Sequence, residues 1–317
     1  MTTMTEPFKL SPVLLDYIWG GEKLKKYWNK TGGPAKVAES WELSAYPGKE
    51  SIIATGIHAS QNFSAYLAAH PEALGQKAEG RRGFPILVKL IDATGDLSIQ
   101  VHPGDGYAME HENQPGKTEM WYIADAEPGA CIYYGFNRDV TEEELRRAIN
   151  ENTLCSLLNK IPVKAGDTYF VEAGTVHALL AGITVIEIQQ NSGITYRLYD
   201  YGRKGADGKP RELHIEKALA VLDRSKKELP LQSCGADNYK DYKIRKLAEC
   251  PYFVAREINI DGIYPIYHAS SFVTFTVIEG QGTLFDGTVI IKGDTVFVPA
   301  GCDTSINGKI SIIETSL

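Results

Sequence analysis

The sequence predicts a mainly β protein whose antiparallel strands form a barrel or sandwich twice over. Two observations predict it. Short runs of alternating apolar and polar residues recur along most of the chain, bounded by Gly, Pro, Asn or Asp, which is how strands and their turns read. In addition, Gly166-Asp-Thr-Tyr-Phe-Val-Glu-Ala-Gly174 recurs as Gly293-Asp-Thr-Val-Phe-Val-Pro-Ala-Gly301, identical at seven of nine positions across an offset of 127. Gly-Asp makes a turn, the middle alternates as a strand and Ala-Gly makes the next turn, so the pair implies one β unit in two copies.

The elements follow in order. Residues 7 to 60 read as short extended pieces, among them Trp41–Ser44 and Ser51–Ala54. Ser60 opens a helix in which Phe63, Tyr66 and Leu67 share a face, and Pro71 ends it. Phe84–Ile91 and the run around Gln100 are strands, followed by a charged, Gly-containing loop from Pro103 to Lys117. Met120–Ile123 and Cys131–Tyr134 are strands. Thr141 with Glu144 forms a capping box for a helix whose apolar stripe is Leu145, Ile149 and then Leu154 and Leu157. Strands resume at Ile161, Thr168–Val171, Ile183–Ile188 and Thr195–Leu198, and a last helix covers Leu213–Leu222. Residues 226–241 have the composition of a linker. They divide a domain at 1–225, with its helical segments, from a second at 242–317. The second reads as strands alone: Phe253–Ile260, Phe272–Ile278, Thr283–Phe285, Val289–Ile291, Thr295–Val298 and Ile310–Ile313.

Composition bounds the function. With 43% apolar and 23% charged residues the chain can bury a core. A net charge of -7 argues against a nucleic-acid partner. Basic residues do cluster, at Lys23–Lys26 and between Arg203 and Arg211. They read as solvated faces, with a local phosphate site as the second reading. The five cysteines (Cys131, Cys155, Cys234, Cys250, Cys302) are odd in number and form no C-x-x-C pair, as expected of free thiols in a reducing compartment. Asp16 interrupts the first apolar run, so no signal peptide is expected, and no run approaches the roughly 18 apolar residues of a membrane span. A cytoplasmic protein without a membrane partner is expected. No motif encodes an oligomeric state.

The chemistry concentrates in Ser98-Ile-Gln-Val-His-Pro-Gly-Asp105 and Gly116-Lys-Thr-Glu-Met-Trp-Tyr122. Gln100 and His102 are two apart in an apolar run, and strand spacing puts them on one face. Glu119 opens the next strand, and His177 follows the Ala-Gly turn of the first echo copy. An amide, two imidazoles and a carboxylate suit one divalent ion: zinc, with iron or manganese as alternatives. A buried, unpaired amide costs about 1–3 kcal/mol, so Gln100 needs a partner. For the others a structural reading stands beside the functional one: a histidine bonded at a strand end, or a carboxylate on an exposed strand face. The second echo copy has Thr304 at the position of His177. That contrast favours a functional histidine and a second unit without metal. Arg197, after the run from Glu187, can face the same interior, as can Lys117.

At these residues the sequence resembles the type I phosphomannose isomerases. The resemblance rests on Trp19-Gly20, Ala38-Glu-Ser-Trp-Glu42, Leu97-Ser-Ile-Gln-Val-His-Pro103, Gly116-Lys-Thr-Glu-Met-Trp-Tyr122, Ala173-Gly-Thr-Val-His-Ala178 and the run from Glu187 to Arg197. It implies cupin-type, jelly-roll barrels in two copies. One zinc per chain would be held by Gln100, His102, Glu119 and His177, with Arg197 as the catalytic arginine. The implied reaction is the isomerisation of mannose 6-phosphate to fructose 6-phosphate through an enediolate. Lys117, Glu39 or a metal-bound water would be its base, and Lys117, Arg197, Lys89 and Arg203 would bind the sugar phosphate. Gly116-Lys-Thr-Glu119 replaces the His-Lys-Pro-Glu of longer members, and Ser192-Gly-Ile194 replaces their Ser-Asp-Asn. The alternative reading is a non-catalytic, sugar-phosphate-sensing metal protein.

Overall fold

The computed structural model describes residues 6–204, 208–228 and 235–317. Residues 229–234 of the expected linker, with Cys234, and residues 205–207 of the second basic cluster lie outside this set. The strands are β1 (Phe8–Ser11), β2 (Val13–Leu15), β3 (Glu39–Leu43), β4 (Ile52–Ile53), β5 (Ile86–Ala93), β6 (Ile99–Val101), β7 (Glu119–Ala126), β8 (Cys131–Phe136), β9 (Leu158–Pro162), β10 (Thr168–Val171), β11 (His177–Leu179), β12 (Ile183–Gln190) and β13 (Tyr196–Tyr199). They continue as β14 (Asp237–Asn238), β15 (Tyr242–Glu249), β16 (Val254–Ile266), β17 (Val273–Leu284), β18 (Val289–Ile291), β19 (Thr295–Val298) and β20 (Thr304–Ser316).

These strands pair antiparallel in three sheets. The first runs β14-β15-β16-β20-β17-β19-β1-β4, with β18 on β17; the second runs β10-β7-β12-β5-β3-β2; the third runs β13-β6-β11-β8-β9. Each path has two ends, and no sheet closes into a barrel. The expected cupin-type pair of jelly-roll barrels is therefore corrected to a mainly β fold of open antiparallel sheets. Closure depends on which strands meet at the ends of a sheet, and a repeat of nine residues carries no information about that. The two echo copies do form the same turn–strand–turn, with Gly166 and Gly293 at φ of 88° and 89°. Their settings differ: β10 is an edge of the second sheet, whereas β19 lies inside the first, between β17 and β1.

The layers are held by separate apolar cores. Ile91, Trp121, Ile123 and Val185 of the second sheet pack on Ile132, Tyr134 and Leu179 of the third. The other face of the second sheet, through Val88, Met120 and Ile188, meets Phe8 and Phe297 of the first sheet and Phe272 just before β17. The outer face of the third sheet is covered by helix Glu142–Asn150, through Leu145 and Ile149, and by helix Ile215–Val221, through Leu219. Thr141 caps the former with the expected box. A buried ion pair ties the layers: Lys30 Nζ lies 2.7 Å from Glu42 Oε2, which also accepts from Thr295 Oγ1 at 3.1 Å.

Two expectations about local structure change. Residues Asp105–Glu112, read as loop, form a helix. It buries only Ala108, and Met109 is exposed, so no apolar stripe announces it. It is pinned by Asp105, whose carboxylate accepts from Gly116 N (2.8 Å), Gln190 Nε2 (2.8 Å) and Tyr252 Oη (2.9 Å). β15 is likewise not marked by the sequence, because its eight residues are mostly exposed or half-buried and carry four charges.

Candidate active site

The site lies between the second and third sheets, and strand register explains why its parts converge. In the third sheet Gln100 is paired with His177 on one side and Arg197 on the other, so three polar side chains form a row across β11, β6 and β13. In the second sheet a facing row runs Trp41–Lys89–Glu187–Trp121 across β3, β5, β12 and β7. Glu39 and Glu119 lie two residues from members of that row and share its face.

At the centre His102, Glu119 and His177 are fully buried, with their ligand atoms all within 4.8 Å of one another. Glu119 Oε2 is 3.5 Å from His102 Nε2, and Glu119 Oε1 is 3.4 Å from His177 Nε2. Gln100 Nε2 lies 3.4 Å from His177 Nε2. His177 donates through Nδ1 to Thr175 O at 2.8 Å, which leaves its Nε2 lone pair aimed at the cluster. Lys117 reaches the same point, 2.9 Å from Glu119 Oε2 and 3.0 Å from His102 Nε2.

Electrostatics agree with a cation site. Burial, then Lys117, holds His102 well below the usual imidazole range. Burial pushes His177 down to about 4, so both rings are neutral, as ligands must be. Burial, then the Glu187 charge, pushes Glu119 up to about 7 against the opposing pull of Lys117. Glu119 Oε1 accepts no hydrogen bond among the described residues, and Oε2 meets only the Lys117 ammonium, at 2.9 Å. A buried carboxylate left in that state is costly, and a divalent ion relieves it. The residues present fit a divalent metal.

Gln100 and Lys117 lead from this cluster into a cavity of about 490 Å³. Its wall carries Lys49, Lys89, Lys117, Arg197 and Arg211 against Glu39 and Glu187. This excess of cations suits an anionic ligand. Lys89 is buried 2.9 Å from Glu187 Oε1 and 3.9 Å from Glu39 Oε2. Burial alone would raise the Glu187 pKa, but Lys89 and Lys117 outweigh it and pull the carboxylate down to about 2. Arg197 donates through Nη1 to Glu212 O at 2.7 Å, and burial, then Arg211, lowers its pKa. Glu39 Oε2 accepts from Trp41 Nε1 at 2.7 Å. A larger cavity of about 730 Å³ opens on the first sheet between Tyr242 and Lys309, and none of the cluster residues lines it.

The structure thus brings Gln100, His102, Glu119, His177, Lys117, Glu39, Lys89 and Arg197 together. Arg203 is apart: it is paired with Asp200 and Asp96 O and does not line the cavity. Arg211, Lys49, Tyr46, Trp19 and Trp41 line it without having been singled out as binding residues. Trp19 and Trp41 lay in the stretches that carried the resemblance, and Arg211 in the basic cluster. Lys49 and Tyr46 sit in a turn-rich segment without periodicity, so nothing in the sequence marked them. Among the described residues, no helix is long and apolar enough to cross a membrane.

Comparison with known proteins agrees with this geometry. The family model of the type I phosphomannose isomerase catalytic domain matches residues 7–119. Mannose-6-phosphate isomerase ManA of Bacillus subtilis (strain 168) is 39% identical over 302 residues, 94% of each chain. The mannose-6-phosphate isomerase of Streptococcus mutans is 36% identical over 300 residues, 93% of each chain. A crystal structure of the mannose 6-phosphate isomerase from Bacillus subtilis superposes with a TM-score of 0.91 at 35% identity, covering 98% of this chain and 99% of that one.

Proposed function

The chain belongs to the type I phosphomannose isomerases, and from that premise we propose that it interconverts mannose 6-phosphate and fructose 6-phosphate in the cavity between its second and third sheets. The observation that carries this reading is the buried His102–Glu119–His177 cluster opening, past Gln100 and Lys117, onto a wall rich in cations. We assign the metal as zinc, about one per chain. Two neutral imidazoles and a carboxylate are its common donors, and a half-turn of the Gln100 amide offers an oxygen to the same point. When bound, the ion supplies positive charge beside the sugar oxygens, which stabilises negative charge developing there.

The chain's own residues do the rest. Isomerisation removes a proton from C2 of the aldose and returns one to C1, with the two oxygens exchanging a proton. Glu39 is our choice of base: Trp41 fixes one carboxylate oxygen, and the carboxylate lines the cavity. Lys117 and Arg197 then face the oxygens of the enediolate, where fixed donors contribute most. The phosphate carries about two negative charges, and Lys49, Lys89, Arg197 and Arg211 meet them. Lys89, held by Glu187, keeps its direction while doing so.

Metal analysis of the purified protein, coupled to a mannose 6-phosphate turnover assay, tests this reading. About one zinc per chain and formation of fructose 6-phosphate are expected. Metal and sugar phosphate bound without any fructose 6-phosphate overturns it. Glu39→Gln should abolish exchange of the C2 proton with solvent while leaving metal bound; undiminished exchange moves the base elsewhere.

A further inference from the structure

Gly193 stands where longer members of the family carry an aspartate, and the structure shows what occupies that space. A Cβ placed on Gly193 would lie 2.6 Å from Tyr46 Oη and 2.9 Å from Tyr46 Cζ, closer than side chains pack. Gly193 is not among the glycines with positive φ. The glycine is therefore required by the phenol, not by its own backbone. Tyr46 is held on its other side by Trp41, edge to face at 5.6 Å. Both Tyr46 and Gly193 line the cavity.

The phenol hydroxyl is poorly satisfied in this seat. Its partner is Gln114 Oε1 at 3.5 Å, the outer limit of a hydrogen bond, and that oxygen already accepts from Gly193 N at 3.3 Å. A phenol fixed by an indole and a glycine, with its one donor only weakly held at the edge of a sugar-sized cavity, has the properties of a ligand contact. We propose that Tyr46 is a specificity-determining residue that bonds a hydroxyl of the sugar, and that Gly193 is the positioning residue that lets the ring approach. The inference rests on the isomerase reading above, because it takes the ligand to be that sugar.

Turnover of mannose 6-phosphate by the parent enzyme tests the isomerase reading first; a double-mutant cycle then tests this one. Tyr46→Phe should lower kcat/KM about three- to tenfold, mainly through KM, the cost of one hydrogen bond to a neutral group. Gly193→Ala should cost about tenfold in the parent but less than about threefold in the Tyr46→Ala background, where no ring remains to be displaced. Zinc content and thermal midpoint, measured on each variant, identify any that fails to fold, and Tyr46→Phe keeps the shape of the parent. Tyr46→Phe with parent kinetics, or Gly193→Ala costing the same factor with and without the ring, overturns the proposal.

Discussion

Lys89 and Glu187 stand directly opposite each other on β5 and β12, their charged ends 2.9 Å apart and both closed off from solvent. The pair lines the cavity and joins β5 to β12. Lys89→Met leaves a buried carboxylate without its counter-charge and should lower stability by about 3–5 kcal/mol. Replacing both, as Lys89→Met with Glu187→Leu, should recover most of that loss. Urea unfolding of the parent and the two variants measures it, and a double variant as unstable as Lys89→Met would contradict the expected recovery.

The same pair predicts a pH dependence. Glu187 is held at about 2 against an ordinary value of 4.5. Its folded value lies below its unfolded one, so the stabilisation is complete above about 4.5 and is lost as pH falls toward 2. The stability difference between the parent and Glu187→Gln should therefore be largest near neutral pH and narrow below pH 4.5. Urea titrations at neutral and acid pH give that difference, and one that does not change with pH contradicts the assignment.

Removing the metal should end turnover and also weaken the fold. An ion that binds only the native state contributes about 4 kcal/mol when present at a thousand times its dissociation constant. Dialysis against a chelator should lower the thermal midpoint and abolish activity, and added zinc should restore both. Glu119→Gln should bind zinc more weakly, since it keeps the shape of the carboxylate and removes its charge. Unchanged zinc affinity in that variant would remove Glu119 from the ligand set.

Arg197 shares a register row with Gln100 but lies outside the buried cluster. Arg197→Ala should leave the zinc content at the parental level while lowering kcat roughly 10²–10³-fold, the scale for loss of one fixed charge-stabilising donor. Metal analysis beside steady-state kinetics separates the two effects. Loss of zinc in this variant would make the arginine structural.

The site was more legible in the sequence than the architecture. Gln100 and His102 could be placed on one face because a strand repeats every two residues, and that rule needs no knowledge of the neighbours. Glu119 and His177 lay at strand starts marked by turns. The facing row of Trp41, Lys89, Glu187 and Trp121 is a different matter, because it depends on the pairing of four strands far apart in the chain. Short punctuated strands, a nine-residue echo and the family resemblance all suggest closure into barrels, yet β10 is an edge and β19 an inner strand. Identical local chemistry served two unlike positions, and the difference came from partners that the segment itself does not encode. The helix Asp105–Glu112 escaped for a related reason, since its anchor Asp105 bonds to residues on three other segments. Tyr46 and Lys49 carried no periodic signal at all.

Phe8 of β1 is in register with Phe297 of β19, and their rings stack at 5.4 Å beside Phe272 and Phe63. β1 therefore waits for a strand nearly three hundred residues further along the chain, about the reach from Phe8 to Phe297. Loops of that span close slowly, and until then β1 keeps an unpaired edge, with Phe8 covered only on its Phe63 and Tyr66 side. Such distant pairing makes the closing of β1 onto β19 a slow step in assembly, and one at which a nascent chain is open to capture by its neighbours.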